Sequence, residues 1–333
     1  MQIYAIILAA GKGTRMNSEL PKCAHPIIDK PMIHYVYDAI SEVKPEEIIT
    51  VVGYKREIIE KILNKKTKFA VQEEQLGTAH AVLATKEFLQ DKEGSTIIAN
   101  GDMPFISKKS YYNMLNAHLR EQNDLTILTT LHPNPYGYGR IVRNDEGEVM
   151  EIVEERDCNE RQRGINEINS GVYVVNNRKL YQALEKIKNN NNQHEYYLTD
   201  IVKIFRMQGD KIGTYIVDDY QEISGVNDKY QLFEMEKKLQ ENIIKKHLLA
   251  GITIENPQTV VIGTNVVLKK GVIIRPNTII IGDTIVNSNS IIGPNSEVSN
   301  SIIGENVVIK HSVVKNANIS DDEVIGPFAF IEN

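Results

Sequence analysis

From Ile262 onward the chain carries an apolar residue at every sixth position. Ile262, Leu268, Ile274, Ile280, Val286, Ile292 and Val298 hold this phase. A step of five reaches Ile303, followed by Ile309, and a second slip leads to Val313, Ile319, Ile325 and Ile331. Four positions after each early anchor stands a small or β-branched residue: Val266, Val272, Thr278, Thr284, Ser290 and Ser296. Gly, Asn, Pro and Asp fill the corners. A helix repeats at about 3.6 residues and a half-buried strand at about two, so neither generates this period. A β-solenoid does, because each hexad forms one side of a triangular coil and stacked coils bury one continuous pile of side chains. The repeat therefore predicts a parallel β-helix over 251–333, with flat faces that invite association between copies.

The first 130 residues read differently. Ile3–Leu8, Ile48–Val52, Lys68–Gln72 and Thr96–Ala99 have the composition of buried strands. Pro31–Val43, with Met32, Val36, Ala39 and Ile40 on one face, Lys55–Leu63 and Gly77–Leu89 have helical spacing. Strands alternating with helices predict an α/β fold with a parallel sheet covered on both faces. Ligands of such sheets sit at the carboxyl ends of the strands, where Gly11, Gly53, Gln72 and Asp102 all fall. Further strands are expected at Leu125–Leu131, Gly139–Arg143, Val149–Val153, Ile168–Val175 and Gly213–Val217. Helices are expected at Tyr196–Gln208 and within Lys179–Lys188, and Asn189–Asn192 reads as a surface loop. A long helix over 228–250 links this part, residues 1–227, to the coil over 251–333.

Composition bounds the function. The net charge is −6 over 333 residues, so a general nucleic-acid-binding role is not expected and any site for anions must be a local basic cluster. Two cysteines, Cys23 and Cys158, are too few for a disulfide framework or a four-thiolate zinc site. Cys23, beside Lys22, reads either as a reactive thiol or as a small buried residue. His25, His80 and His194 lack the partner spacing of a metal or catalytic site. No basic leader precedes the first strand and no apolar run has the length of a membrane span, so a soluble cytoplasmic protein is expected.

One loop stands out as a candidate site. Leu8-Ala9-Ala10-Gly11-Lys12-Gly13-Thr14-Arg15-Met16 follows the first strand, and Pro21-Lys22 follows soon after. It is neither a P-loop nor a complete dinucleotide fingerprint, since Met16 stands where a third glycine would be. Gly-x-Gly alone reads first as a tight structural turn. Its amides could instead line phosphates, with Arg15 and Lys22 adding fixed positive charge.

These features together resemble the bacterial bifunctional N-acetylglucosamine-1-phosphate uridylyltransferase/glucosamine-1-phosphate acetyltransferase family. The matching segments run in order from Leu8–Met16 through Leu20-Pro-Lys22, Glu74-Gln-Leu-Gly-Thr78, Gly101-Asp102, Tyr138-Gly-Arg-Ile141 and Ile152-Val-Glu154. They continue through Glu167-Ile-Asn-Ser-Gly171, Glu195-Tyr-Tyr197, Thr199-Asp200 and Gly225-Val-Asn227 to Ile325-Gly-Pro-Phe-Ala329. The resemblance implies a Rossmann-like nucleotidyltransferase domain followed by a left-handed parallel β-helix of hexapeptide repeats. It implies UTP and N-acetylglucosamine-1-phosphate as substrates, Mg2+ as cofactor, and a homotrimer formed through the β-helix. In this chemistry a sugar phosphate oxygen attacks the α-phosphorus and pyrophosphate leaves. The protein must position two anions rather than supply a nucleophile.

The same resemblance assigns residues. Leu8, Ala9, Ala10 and Gly11 would hold the nucleotide through their backbone, with Lys22, Gln72, Gly77, Thr78, Asn100, Gly101 and Asp102 around it. Gln72 would read the uracil edge, because an amide can both donate and accept. Arg15 and Lys22 would act on the phosphates, and Asp102 and Asn227 would hold the metal. Gly139, Glu154, Asn169 and Asn227 would face the sugar. Taken singly, Asp102 is also a turn residue, Asn227 a helix cap, Gly77 and Thr78 a helix start, Glu154 a solvated strand residue, and Tyr196 and Tyr197 core or wall.

Two departures from the family pattern are visible. Asn100 precedes Gly101-Asp102 where an aromatic residue is common, and Phe330 stands where the family has arginine. The family also continues with further hexads that carry acetyl transfer, so that activity is expected to be absent. Two other readings share the fold: a transferase for another sugar-1-phosphate, and a non-catalytic scaffold.

Overall fold

The computed structural model describes residues 2 to 333. The chain divides into two compact units. One comprises the residues up to His25 with Pro31–Asp228, and the other comprises Pro26–Lys30 with Lys229–Asn333.

The first unit is built on a nine-stranded mixed sheet. Ile3–Leu8 lies inside it, parallel to Glu47–Val52 on one side and to Ser95–Asn100 on the other. Lys68–Val71 adds in parallel beyond Glu47–Val52. Beyond Ser95–Asn100 comes Glu167–Asn176, antiparallel, then Leu125–Leu131 and Ile212–Ile216. Arg140–Arg143 and Val149–Val153 form an antiparallel ribbon on Glu167–Asn176. Alternate residues of Ile3–Leu8 serve the two faces: Tyr4 and Ile6 enter one core, Ala5 and Ile7 the other. A strand buried on both sides reads as an unbroken apolar run, which is why Ile3–Leu8 was legible. The chain leaves Ile3–Leu8 toward one edge and returns on its other side as Ser95–Asn100. The crevice between these two strand ends is therefore a topological switch point.

Several expectations need correction. Lys108–Glu121 is a helix that the sequence reading omitted, capped by Ser107, whose Oγ accepts from the Ser110 amide at 3.1 Å. Gly77–Leu89 is not one helix but two, Thr78–Leu83 and Lys86–Leu89. At the break, buried Thr85 bonds back to the Val82 carbonyl at 2.7 Å and meets the Tyr181 hydroxyl at 2.7 Å. The helix expected from Tyr196 starts only at Ile201. Tyr196 is held extended because its N–H donates to Leu76 and its carbonyl accepts from Ala79, at 2.8 and 2.9 Å. Long-range backbone pairing overrides local propensity there. The Asn189–Asn192 loop is ordered by Asn191, which donates to the Glu195 carbonyl at 2.6 Å and accepts from the Glu195 amide at 3.2 Å.

The second unit contains the helix Lys229–Leu249 and the coil. Three parallel sheets form the coil's faces, stacked from Thr253–Ile254, Val261–Ile262 and Val267–Leu268 onward. Ile262, Ile274, Ile280, Val286, Ile292, Val298, Ile303 and Ile309 are fully buried in one pile. Thr278, Thr284, Ser290 and Ser296 are buried beside them, as the repeat predicted. The second slip falls one residue later than expected: Val314, not Val313, points inward and pairs with Val298. Corner asparagines in left-handed backbone, such as Asn277 and Asn295, stack at 3.0 Å. Pro26–Lys30 belongs to this unit, where Asp29 accepts from the Gly282 amide at 2.7 Å.

Candidate active site

After Leu8 the chain leaves the sheet and runs through Ala9–Gly13 without regular structure. Gly13 has φ +67, and a Cβ there would come within 2.7 Å of the Lys22 Cβ, so glycine both permits the turn and lets the lysine stem pack against it. The amides of Gly11 to Arg15 donate to no acceptor among the described residues. The short turn Thr14–Met16 is pinned by Met16, which is fully buried, and leaves Arg15 exposed above the loop.

Lys22 and Arg15 converge. The Lys22 ammonium bonds to the Asp102 carboxylate and donates to Asn227 Oδ1 at 2.9 Å. Arg15 Nη2 donates to the same Asn227 oxygen at 2.9 Å. Asp102 stands two residues past the Ser95–Asn100 strand, and its carbonyl accepts from the Val226 amide at 3.2 Å, which draws Asn227 in from far along the chain. Two oxygen donors thus meet one cation, and the lysine stands where a hard divalent ion would be received. Magnesium takes oxygen ligands, one or two from protein and the rest from water and phosphate, so this pair fits it. Among the described residues no cluster of three His, Cys, Asp or Glu side chains is placed to hold a metal. Cys23 lies beneath this group. Burial pushes its thiol up to about 12, Asp102 adds to that and Lys22 opposes it, so the sulfur stays protonated and unreactive.

A cleft of about 450 Å³ opens beside the loop, lined by Leu8, Ala10, Gly11, Lys22, Gln72, Gly77, Thr78, Asn100 and Asp102 among others. Ala9 and Gly101 do not line it: Ala9 is buried, and the Gly101 amide donates to the Leu8 carbonyl at 2.9 Å. Gln75, which the sequence reading passed over, lines the same cleft and donates from Nε2 to the Ala10 carbonyl at 2.8 Å. Gly77 has φ +124, and a Cβ would strike the Tyr196 backbone at 2.5 Å. The Thr78 hydroxyl accepts from the Leu198 amide at 2.9 Å instead of capping its own helix.

A second cleft of about 190 Å³ shares Leu8, Thr78 and Asn100 with the first, and Glu154, Asn169, Tyr173 and Thr199 line it. Gly139 adjoins it: a Cβ there would lie 3.5 Å from Glu154 Oε1 and from the Asn169 Cβ. Glu167–Asn176 is irregular between Asn169 and Tyr173, and bulges of this kind re-aim side chains beside active sites. Asn169 Nδ2 donates to the Tyr173 hydroxyl at 2.9 Å and its Oδ1 accepts from the Gly171 amide at 3.0 Å. One N–H and one lone pair of the amide are left for a ligand. Burial pushes the Glu154 carboxyl above the usual range; Thr199 opposes this, Asp157 and Asp200 reinforce it, and Arg140 opposes it. Arg140 is itself buried and bonds Glu155 at 2.6 Å, which fixes the Tyr138–Gly139 turn. Asn227, expected at both metal and sugar, sits with Lys22, Arg15 and Asp102 and does not line this second cleft.

Residues 4–246 match the nucleotidyl transferase family. Over 333 residues the chain is 45% identical to the bifunctional protein GlmU of Acholeplasma laidlawii, covering all of this chain and 72% of that protein. The chain belongs to the GlmU family. It is 40% identical over 331 residues to the GlmU protein of Streptococcus uberis, spanning 72% of its length. It is 45% identical over 266 residues to that of Streptococcus thermophilus, spanning 58%. The resemblance drawn from the ordered motifs is therefore borne out, and the nucleotidyl transferase match over residues 4–246 takes in every residue that lines the two clefts.

Proposed function

We propose that this chain is a uridylyltransferase that joins UTP and N-acetylglucosamine-1-phosphate to give UDP-N-acetylglucosamine and pyrophosphate. The observation that carries this reading is the convergence of Lys22, Arg15, Asp102 and Asn227 at the switch point, beside a loop of unpartnered amides. Such a site has nothing to offer a neutral substrate and much to offer two phosphates that repel each other.

In this reading the Gly11–Arg15 amides receive the triphosphate, while Gln72 and Gly77 meet the base. Glu154 and Asn169 bind sugar hydroxyl and amide groups from the adjoining cleft. The two clefts share a wall at Leu8, Thr78 and Asn100, which supports in-line placement of the sugar phosphate against the α-phosphorus. Lys22 and Arg15 turn from Asn227 toward phosphate oxygens and hold the charge that develops on pyrophosphate. Magnesium held by Asp102 and Asn227 would neutralise phosphate charge. Pyrophosphate release across a panel of nucleoside triphosphates and sugar-1-phosphates tests the assignment, and greatest turnover with any pair other than UTP and N-acetylglucosamine-1-phosphate overturns it. Asp102→Ala is expected to lower kcat/KM by about 100-fold or more without unfolding the protein. Unchanged turnover would remove the metal role.

We further infer a homotrimer built on the coil, supported by outward apolar residues on its faces. We also infer that these 333 residues do not acetylate glucosamine-1-phosphate. The coil's sole histidine, His311, is a corner residue whose Nδ1 meets the Asn295 amide at 3.3 Å, an arrangement that suits a ladder rather than a base. Thiol release from acetyl-CoA with that acceptor would refute it. Free buried Cys23 and Cys158 accord with a reducing, cytoplasmic setting.

A further inference from the structure

We propose that His80 is a positioning residue for base selection. It locks the Gln72 amide with its carbonyl oxygen on the cleft, and so favours a uracil-type over a cytosine-type base. This inference rests on the nucleotidyltransferase reading given above.

The lock has two bolts. Gln72 Nε2 lies 3.1 Å from the Gly77 carbonyl oxygen and 3.2 Å from His80 Nδ1. A carbonyl oxygen can only accept, so the amide nitrogen must face Gly77, and the usual ambiguity of a glutamine amide is resolved. Its second hydrogen then points at His80 Nδ1, which must be the unprotonated ring nitrogen, with the ring proton on Nε2. The opposite tautomer would present an N–H there and set it against the second amide hydrogen, loosening the orientation that Gly77 favours. With both hydrogens engaged, Gln72 has only Oε1 to offer, and that oxygen makes no bond to any described residue. Gln72 keeps 5% of its surface exposed, and it lines the cleft.

Both ends of the lock are fixed. The Gln72 backbone N–H donates to the Val52 carbonyl at 2.8 Å, at the end of the Lys68–Val71 strand. His80 rides on the first turn of Thr78–Leu83, whose entry is held against the Tyr196 backbone at 2.8 and 2.9 Å. Gly77, on the same wall, has an amide that donates to no acceptor among the described residues. The wall thus presents one fixed acceptor and, close by, one available donor. Uracil carries an N3–H flanked by carbonyl oxygens and matches that pair. Cytosine carries a bare N3 flanked by an amino group, which sets lone pair against lone pair and N–H against N–H. The Gly77 carbonyl sets which way the amide faces; His80 engages its second hydrogen and so holds it against turning to suit the other base.

The test compares kcat/KM for UTP and CTP in the wild type, His80→Leu and His80→Asn. The UTP-over-CTP ratio should fall about five- to tenfold in His80→Leu, the scale of one hydrogen bond, and recover in His80→Asn, which keeps an acceptor near the place of Nδ1. A loss that strikes both nucleotides equally and leaves the ratio within about twofold would overturn the proposal. Absence of UTP turnover in the wild type would instead sink the underlying uridylyl-transfer reading. A measurement that needs no variant is the nitrogen NMR of labelled histidine in the intact chain: His80 should be the Nε2–H tautomer, and an Nδ1–H signal would overturn the lock.

Discussion

Glu154, proposed above as a sugar ligand, would serve binding at the expense of stability. Burial raises its carboxyl above the ordinary range, so the folded chain holds that proton to higher pH than the unfolded chain does. The ionised side chain therefore weighs against folding as pH rises through the raised value, and the penalty is relieved as pH falls. In the proposed role binding runs the other way, because only the carboxylate would accept from two sugar hydroxyls at once. KM for the sugar phosphate should rise on the acid side in the wild type, and Glu154→Gln should flatten that limb while raising Tm at neutral pH. Titrations of KM and thermal melts check both; an acid limb unchanged in the variant would exclude the assignment. Asp102 was marked as a candidate by its place at a strand end, whereas Asn227 and Glu154 entered only through the ordered resemblance, since each alone also reads as a cap or strand residue. Gln75 and His80 were not singled out. Nothing in their spacing shows that one bridges to Ala10 and the other holds an amide, because both facts depend on strands that meet only in the fold.

Elements were legible where burial is regular. Ile3–Leu8 and the hexads each repeat one environment, so their pattern survives in the sequence. Lys108–Glu121 was missed because it is strongly polar, although Tyr111, Met114, Leu115 and His118 line its buried face and Ser107 caps it. The break at Thr85 and the late start of the helix at Ile201 are tertiary effects, made by Tyr181 and by the Leu76–Ala79 backbone. The placement of Val314 over Val313 was hidden because adjacent valines give no phase. At the coil corners, asparagine supplies both a tolerated left-handed backbone and a ladder of amides. Asn295 has φ +51, accepts from Asn277 and meets His311. Asn295→Ala should cost about 1–2 kcal/mol from backbone strain alone, and Asn295→Gly less. Urea unfolding followed on the coil would show the order, and equal losses would point to the ladder rather than the backbone.

At the scale of the whole molecule, two kinds of repetition share 333 residues: strands alternating with helices, and rungs stacked on rungs. Overall charge is −6, yet Lys22 and Arg15 gather at the one place where phosphate is expected, so net charge described the surface and not the site. The coil exposes Ile279, Ile302, Val324 and Phe330, of which Val324 and Phe330 are more than half exposed. Exposed apolar side chains on flat faces mark association surfaces. Light scattering should return about three times the 37.7 kDa chain mass, and a monomer at micromolar concentration would exclude the trimer. The coil also keeps its own record of what it tolerates. Stacked corner partners lie 18 residues apart at Asn265 and Asp283, 17 apart at Asp283 and Asn300, and 16 apart at Glu305 and Asp321. Turns of three lengths thus stack without losing a rung. The interior counts rungs and is indifferent to the length of the bends between them. Residues can be gained or lost at a bend without disturbing the fold, whereas an anchor cannot be moved by one position without turning it outward.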